Sequence, residues 1–233
     1  MWLSVDPMAD KYPGISPYAY CSWNPIKLVD PDGQEDWEVD KLGHITKCQE
    51  QQENPTEDRI RIKGTTGWTE KNSISGLKRF TITDPVTVPL ENASTDYGSL
   101  ISMGGTEDDR LNVFKFCASN ANVEFSLMEI VDGNNHFSYL TTSHDEHLRR
   151  KEKIGDGLGS AVAVRFFDKL QLHIHNHFTG KVGWGPNEDD YGFKENINNL
   201  RNDYQQKNPD ANLPEVKFMI YKCRGNDKQT ISY

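Results

Sequence analysis

The stretch KLQLHIHNH at residues 169–177 places three histidines at alternate positions of one short segment. Apolar and polar side chains alternate along it, which predicts a β-strand with two chemically different faces. One face carries Leu170, Leu172 and Ile174, and the other carries Gln171, His173, His175 and His177. Neutral imidazoles buried without partners are costly, and charged imidazoles side by side repel one another. Because a bound divalent metal removes both difficulties, the polar face predicts a metal centre.

The loop after this strand offers the carboxylate that would complete such a centre. Catalytic zinc commonly takes three protein ligands and keeps one position for water. The segment GPNEDD at residues 185–190 contains Glu188, Asp189 and Asp190, and residue type alone does not choose among them. A helix predicted to begin near Tyr191 would favour a carboxylate at its positive N-terminal end.

Length and charge narrow the possible functions. The chain has 233 residues, enough for one domain and an appendage. Its net charge of −9 disfavours non-specific binding to nucleic acids, because the phosphates would be repelled. For this reason we predict no nucleic-acid partner. No apolar run is long enough to span a bilayer, so we predict no membrane partner either. The start of the chain has neither the basic nor the long apolar region of a signal peptide.

The elements around the histidine strand predict an α/β (α+β) fold. A helix is predicted over residues 107–120, capped by Thr106, and a second over residues 193–206. Alternating patterns predict a hairpin over 37–46 and strands over 59–63, 80–83, 123–130, 136–142, 160–167, 216–221 and 230–233. His44 and His136 lie beside hairpin turns, and residues 143–147 form a polar turn, so we expect all of them to be solvated.

The first 36 residues differ from the rest, because proline and glycine turns recur between tyrosines and a tryptophan. The sequence LSVDPMADKYPGISPYAYCSWNPIKLVDPDG at residues 3–33 resembles the terminal stretch of the RHS repeat-associated core domain. In that family a large β-shell encloses a variable C-terminal toxin, and paired Asp-Pro motifs are linked to self-cleavage. Asp6 and Asp30 match the two aspartates, whereas Ala9 and Gln34 replace the glycine and the leucine of those motifs.

A second resemblance covers roughly residues 105–222. The order of a glutamate, then His-x-His, then Pro-Asn-x-x-Asp is similar to the JAB/JAMM metallopeptidase motif. Its residues in this chain are Glu124, His175, His177, Asn187 and Asp190. Phe178 stands where the family has proline, and Asn187 stands where it has serine. The interval from His177 to Asp190 is two residues longer than is common, and by spacing alone Glu188 would be the ligand. Glu129 is the second candidate for the glutamate.

The resemblance implies a central mixed, curved sheet flanked by helices, of the cytidine deaminase-like kind. It implies that His175, His177 and Asp190 bind Zn²⁺, with His173 beside the ligands. Glu124 would be the general base, and the Asn187 amide would stabilise the oxyanion. Residues 1–36 would be the RHS remnant, and residues 37–233 the JAB-like toxin domain. The family cleaves peptide or isopeptide bonds, often at ubiquitin-like tails.

Two other functions remain open at this point. The triplet His175-Asn176-His177 superficially resembles a His-Asn-His nuclease, and RHS proteins often carry nucleases, so a metal-dependent nuclease toxin is the first alternative. A binding module with a decayed site is the second. A toxin of this kind implies a cognate immunity protein, for which an acidic domain predicts a basic surface. It also implies secretion or delivery into a target cell as part of a larger RHS protein.

Overall fold

A computed structural model describes residues 36–49, 58–71, 73–77, 86–89, 97–142, 144, 157–177, 186–223 and 228–233. The described residues lie within one compact unit. The resemblance to an RHS terminus and its two aspartates lies outside the described residues, as does the strand predicted over 80–83. The division of the chain after residue 36 therefore stays a prediction.

The described residues form a mixed α+β fold, which confirms the predicted fold class. The strands are β1 (Asp36–Val39), β2 (Ile45–Lys47), β3 (Asp58–Ile62), β4 (Ser73–Leu77), β5 (Val86–Pro89), β6 (Tyr97–Ser102), β7 (Phe125–Asp132), β8 (Asn135–Thr142), β9 (Leu170–Asn176), β10 (Lys217–Lys222) and β11 (Gln229–Ser232). The helices are α1 (Glu107–Asn120), α2 (Gly157–Arg165) and α3 (Glu188–Lys207). None of these helices is both long and apolar enough to cross a membrane.

The strands form two mixed sheets. The smaller has the order β2-β1-β3-β4, and the larger has the order β11-β10-β9-β7-β8-β6-β5. Strand β9, which carries the histidines, runs antiparallel to β7 and parallel to β10. It therefore lies near the centre of the larger sheet, where both of its edges are hydrogen-bonded and its side chains are held rigidly.

Each face of the larger sheet is covered by its own apolar cluster. On one face, Leu127 and Ile174 pack with Phe114 of α1 and with residues of the smaller sheet. The other cluster contains Met128 together with residues of α2, α3 and β10. The face of the sheet that carries the histidines is thus covered by α2 and α3, which limit the access of solvent to it. Within the predicted apolar row, Leu170 joins the second cluster, and a register shift between Glu129 and Ile130 accompanies this change of side.

The helix α1 follows its sequence signals closely. Thr106 is the N-cap, and its hydroxyl accepts a hydrogen bond from the N–H of Asp109 while the Asp109 carboxylate bonds back to Thr106. This capping box satisfies donors that a helix leaves unpaired at its start. Phe114 and Ala118 are fully buried on the inner side, as their spacing predicts.

The strand predicted over residues 160–167 is wrong, because residues 157–165 form the helix α2. Val162 and Val164 alternate with alanines, and that alternation suggests a strand by β-propensity alone. In the fold, Leu158, Val162 and Ala163 are buried against the sheet, and their i, i+4 and i+5 spacing suits one helical face. The need to cover the sheet therefore outweighs the weak local preference.

The turn between β1 and β2 is attached to the larger sheet through His144. The prediction that residues 143–147 are solvated is wrong for His144, the residue of that segment that the structure describes. His144 is 8% exposed, and its Nδ1 lies 2.8 Å from the carbonyl oxygen of Leu42. Its Nε2 lies 2.6 Å from the Ser99 hydroxyl. His44 is exposed, as expected, and its ring also stacks on that of His144 with centroids 4.1 Å apart. His136 is exposed, as expected.

These contacts predict a pH-dependent contribution to stability. Burial lowers the pKa of His144, and the charges facing it are those of His44 and Asp40. When the pKa of a histidine is lower in the folded state, its contribution to the free energy of unfolding is fully present above the unfolded-state pKa of about 6.5. That contribution is lost as the pH falls from there through the folded-state pKa. We expect the free energy of unfolding to decrease on acidification by at most about 1.4 kcal/mol per pH unit from this group.

The measurement is urea unfolding with a chelator present, from about pH 8 to about pH 5. His144→Gln should be less stable at neutral pH and should show a shallower dependence on pH. An equal slope in the wild type and the variant would contradict this assignment. His136→Gln, at an exposed turn, is the matched control and should leave the slope unchanged.

Candidate metal centre

The structure brings His175, His177 and Asp190 together at the N-terminus of α3. His175 Nε2 lies 3.0 Å from Asp190 Oδ1 and 3.1 Å from His177 Nε2. His177 Nε2 lies 3.4 Å from Asp190 Oδ2. One ligand atom from each of the three residues lies within 4.8 Å of the other two. Among the described residues, this is the group that could hold a metal ion.

The donor set and its spacing fit zinc. Zinc binds imidazole nitrogens and carboxylate oxygens at about 2.0–2.2 Å, so that ligand atoms at the corners of its tetrahedron lie about 3.3–3.5 Å apart. The two imidazole nitrogens, 3.1 Å apart, are close to that value, and each lies near a different oxygen of Asp190, at 3.0 Å from His175 to Oδ1 and at 3.4 Å from His177 to Oδ2. Two imidazole lone pairs directed at one point repel each other unless a proton or a cation lies between them, and the site is nearly buried. A cation is therefore well suited to this cluster.

Asp190 is held in place by the start of α3. Asn187 is the N-cap, and its side-chain oxygen accepts hydrogen bonds from the N–H groups of Asp189 and Asp190. In return, Asp190 Oδ2 accepts the N–H of Asn187 at 2.7 Å. Burial alone would raise the pKa of Asp190, but the hydrogen bonds from His175, His177 and Asn187 outweigh it and lower that pKa. The carboxylate is consequently ionised, as a metal ligand must be.

Sheet register places Glu124 on the same face as the imidazoles. Ser126 is the direct partner of His175 across the β7–β9 ladder, and opposed residues project from the same face. Glu124 lies two residues before Ser126, so the continued register places it opposite His177. The residue is 8% exposed. This continued register puts Glu124 on the same face of the sheet as the ligand set, outside the group of three ligand atoms.

The part of the chain that carries this cluster can be compared with known proteins. Residues 104–208 match the family model of JAB-like toxin 1. The match includes Glu124 and all three members of the candidate metal centre, and it supports the predicted JAB-like toxin domain. No curated protein and no solved structure gives a significant match.

Within the region that matches JAB-like toxin 1, the other two acidic residues of the loop take different positions. Glu188 and Asp189 are exposed in the first turn of α3, whereas Asp190 is 7% exposed and faces the histidines. The alternative glutamate, Glu129, is occupied elsewhere. Its carboxylate accepts two hydrogen bonds from Arg110, at 2.8 and 3.1 Å. The geometry therefore favours Asp190 as the third ligand and Glu124 as the neighbouring carboxylate.

Asn187 is the N-cap of α3, a role that was not predicted from the sequence. Its Oδ1 accepts the hydrogen bonds that cap α3, and its Nδ2 group is the donor that the side chain can offer to a ligand. Among the described residues, Nδ2 donates no hydrogen bond. The helix α3 also begins at Glu188, before both the start predicted near Tyr191 and the predicted span of residues 193–206, since the cap and the three acidic residues of its first turn extend it.

His173 lies beside the cluster but outside the group of three ligand atoms. Its ring stands 5.4 Å from that of His175 and 4.8 Å from that of Phe193 in α3. Burial, and to a smaller extent the neighbouring His175, lower the pKa of His173 to about 3, against the opposing effect of Asp190. Neither ring nitrogen has a hydrogen-bond partner among the described residues. The ring therefore forms a neutral wall of the site.

Proposed function

We propose that this domain is a zinc-dependent peptidase or isopeptidase that acts as the C-terminal toxin of an RHS-type protein. The observation that carries the proposal is the group of His175, His177 and Asp190, which offers two imidazole nitrogens and one carboxylate oxygen within 4.8 Å of one another. The match to JAB-like toxin 1 agrees with a peptidase-like activity. The resemblance of residues 3–33 to an RHS terminus supports the wider context.

The residues around the centre suit a hydrolysis. Zinc, when bound, would polarise a water molecule and lower its pKa toward about 7. Glu124 would accept a proton from the attacking water and deliver it to the leaving amine. The Nδ2 group of Asn187 would donate to the oxyanion that develops on the substrate carbonyl. Because Oδ1 of Asn187 is fixed by α3, this donor would be already oriented before substrate binds.

The alternative of a His-Asn-His nuclease receives no support from the geometry. Asn176 lies between the two histidines in the sequence, but it is fully buried and its amide bonds to backbone groups of residues 123 and 125. The triplet consequently does not form one polar surface. Incubation with plasmid DNA and Mg²⁺ or Zn²⁺ should leave the DNA intact, and cleavage would favour the nuclease instead.

Partners and delivery remain proposals that follow from this function. The substrate would be a protein, either a peptide segment or the tail of a ubiquitin-like protein, and a producing cell would need an immunity protein. The acidic net charge favours a basic surface on that partner. The domain would reach its target as the end of a larger RHS protein.

The direct test is the zinc content of the purified protein. We expect one zinc ion per chain after incubation with zinc and dialysis, measured by elemental analysis. A library of linear peptides and a branched isopeptide should be cleaved only by the zinc-loaded protein, with chelation abolishing the cleavage. A protein that retains no zinc contradicts the proposal, and zinc retention without cleavage favours the binding module.

A further inference from the structure

Asn176 is the polar residue of β9 that the alternation does not explain. It falls in phase with Leu172 and Ile174, so it projects toward the apolar side of the sheet. Its exposed fraction is 0%. An amide buried among apolar side chains is costly unless its oxygen and its nitrogen both have hydrogen-bond partners. The residue therefore needs an explanation in the contacts that it makes.

The Asn176 amide bonds on both sides of Glu124. Its Oδ1 accepts the N–H of Phe125 at 2.7 Å, and its Nδ2 donates to the carbonyl oxygen of Val123 at 3.3 Å. A backbone N–H only donates and a carbonyl only accepts, so the orientation of the amide is determined by its partners. A weaker contact joins Nδ2 to Cys223 Sγ at 3.7 Å.

These bonds lie where the regular ladder between β7 and β9 stops. The last backbone pair at that end is Ser126 with His175, and Glu124 lies before the first residue of β7. The Asn176 side chain thus supplies a connection to β9 beyond the last pair. On the other side, the Asn122 N–H donates to the carbonyl oxygen of Lys41 at 2.7 Å. The segment that carries Glu124 is therefore held from two directions.

We propose that Asn176 is a positioning residue that fixes Glu124 relative to His175 and His177. These two histidine ligands flank Asn176 in the chain. This inference rests on the proposed function. The backbone of Asn176 joins His175 to His177, and its side chain joins this same point to the residues that flank Glu124. One rigid link therefore sets the distance from the base to the metal centre. A displacement of about 1 Å in such a pair can cost about 100-fold in rate.

The test uses two variants and a matched control. Asn176→Leu keeps the branching at Cγ and removes both hydrogen bonds, whereas Asn176→Thr is smaller, suits a strand and keeps a polar group. Ile174→Val shortens a buried side chain on the same face of the same strand and leaves the Asn176 bonds in place. The measurements are zinc affinity, hydrogen exchange at the Phe125 amide, and kcat and KM on the cleaved peptide.

We expect Asn176→Leu to bind one zinc ion with an affinity within about 3-fold of the wild type, because no ligand is changed. Its Phe125 amide should exchange at least about 10-fold faster, and kcat should fall about 100-fold with KM nearly unchanged. Asn176→Thr should fall between this variant and the wild type. Asn176→Thr also tests the positioning role if Asn176→Leu does not fold.

The possible failures are distinguishable. If Asn176→Leu, or Asn176→Thr in its place, matches Ile174→Val in both kcat and Phe125 exchange, the positioning role is overturned while the zinc peptidase stands. A KM effect with unchanged kcat also overturns it, because a misplaced base lowers turnover. A wild type without zinc binding or cleavage overturns the proposed function and this inference together.

Discussion

Glu124→Gln is expected to retain one zinc ion per chain and to lose about 10²–10⁴-fold in kcat. The amide has nearly the shape of the carboxylate, so the buried position before β7 should tolerate it. It cannot accept a proton from water, however, and the proton transfer that assists attack would be lost. Elemental analysis together with steady-state kinetics on the cleaved peptide would measure the two quantities separately.

Glu129→Gln, in the strand β7 that directly follows Glu124, is the matched control. Glu129 pairs with Arg110 and also accepts a hydrogen bond from Ser138 at 3.0 Å. Its replacement leaves a partly buried guanidinium without its counter-charge, which should lower the free energy of unfolding by about 1–3 kcal/mol. The kcat of the control should change little. Loss of turnover in Glu129→Gln but not in Glu124→Gln would assign the general base to Glu129.

Asp190→Asn is expected to weaken zinc binding by at least about 100-fold. The variant loses the anionic ligand, and an amide oxygen is a poor replacement beside two neutral imidazoles. It also weakens the reciprocal cap with Asn187, so the melting temperature in the presence of a chelator should decrease, by an amount that corresponds to about 1 kcal/mol. Competition with a chromophoric chelator at neutral pH would measure the affinity.

Glu188→Gln and Asp189→Asn provide the controls in the same helical turn. Each removes one negative charge near the N-terminus of α3, as Asp190→Asn does, so the general electrostatic effect on the helix is matched. Because both residues are exposed, their variants should bind zinc within about 3-fold of the wild type. If Glu188→Gln loses zinc while Asp190→Asn keeps it, the third ligand is the one that loop spacing alone suggests.

Strong local patterns predicted their elements well. Thr106 and the acidic residues after it define the start of α1, and the alternation of residues 169–177 defines β9, because both signals depend on neighbouring residues only. The α2 segment has no cap signal among its described residues, and its valines favour a strand. Strands β4 to β6 come from polar, weakly patterned sequence whose pairing partners are distant, so no strand was predicted at their positions.

The candidate site, too, was predicted from the sequence only in part. The sequence predicted three histidines on one face and the order of glutamate, histidines and aspartate, whereas residue type alone left Glu188, Asp189 and Asp190 as alternatives. The start of α3 distinguishes them, because the capping by Asn187 turns Asp190 inward. The oxyanion role proposed for Asn187 has to share that residue with its role as a cap.

By itself, the sequence determined the types of ligand, the phase of the histidine strand and the fold class, because these depend on residue chemistry and on a repeat of two. Residue type and loop spacing did not choose among the three acidic residues, and the tertiary structure shows that Asp190 meets the imidazoles, since a distance between β9 and α3 is not encoded by spacing along a loop. The tertiary structure also decided the position of Asn176. An amide in an apolar row is only an irregularity in the sequence, and its bonds to residues 123 and 125 exist because β7 lies beside β9.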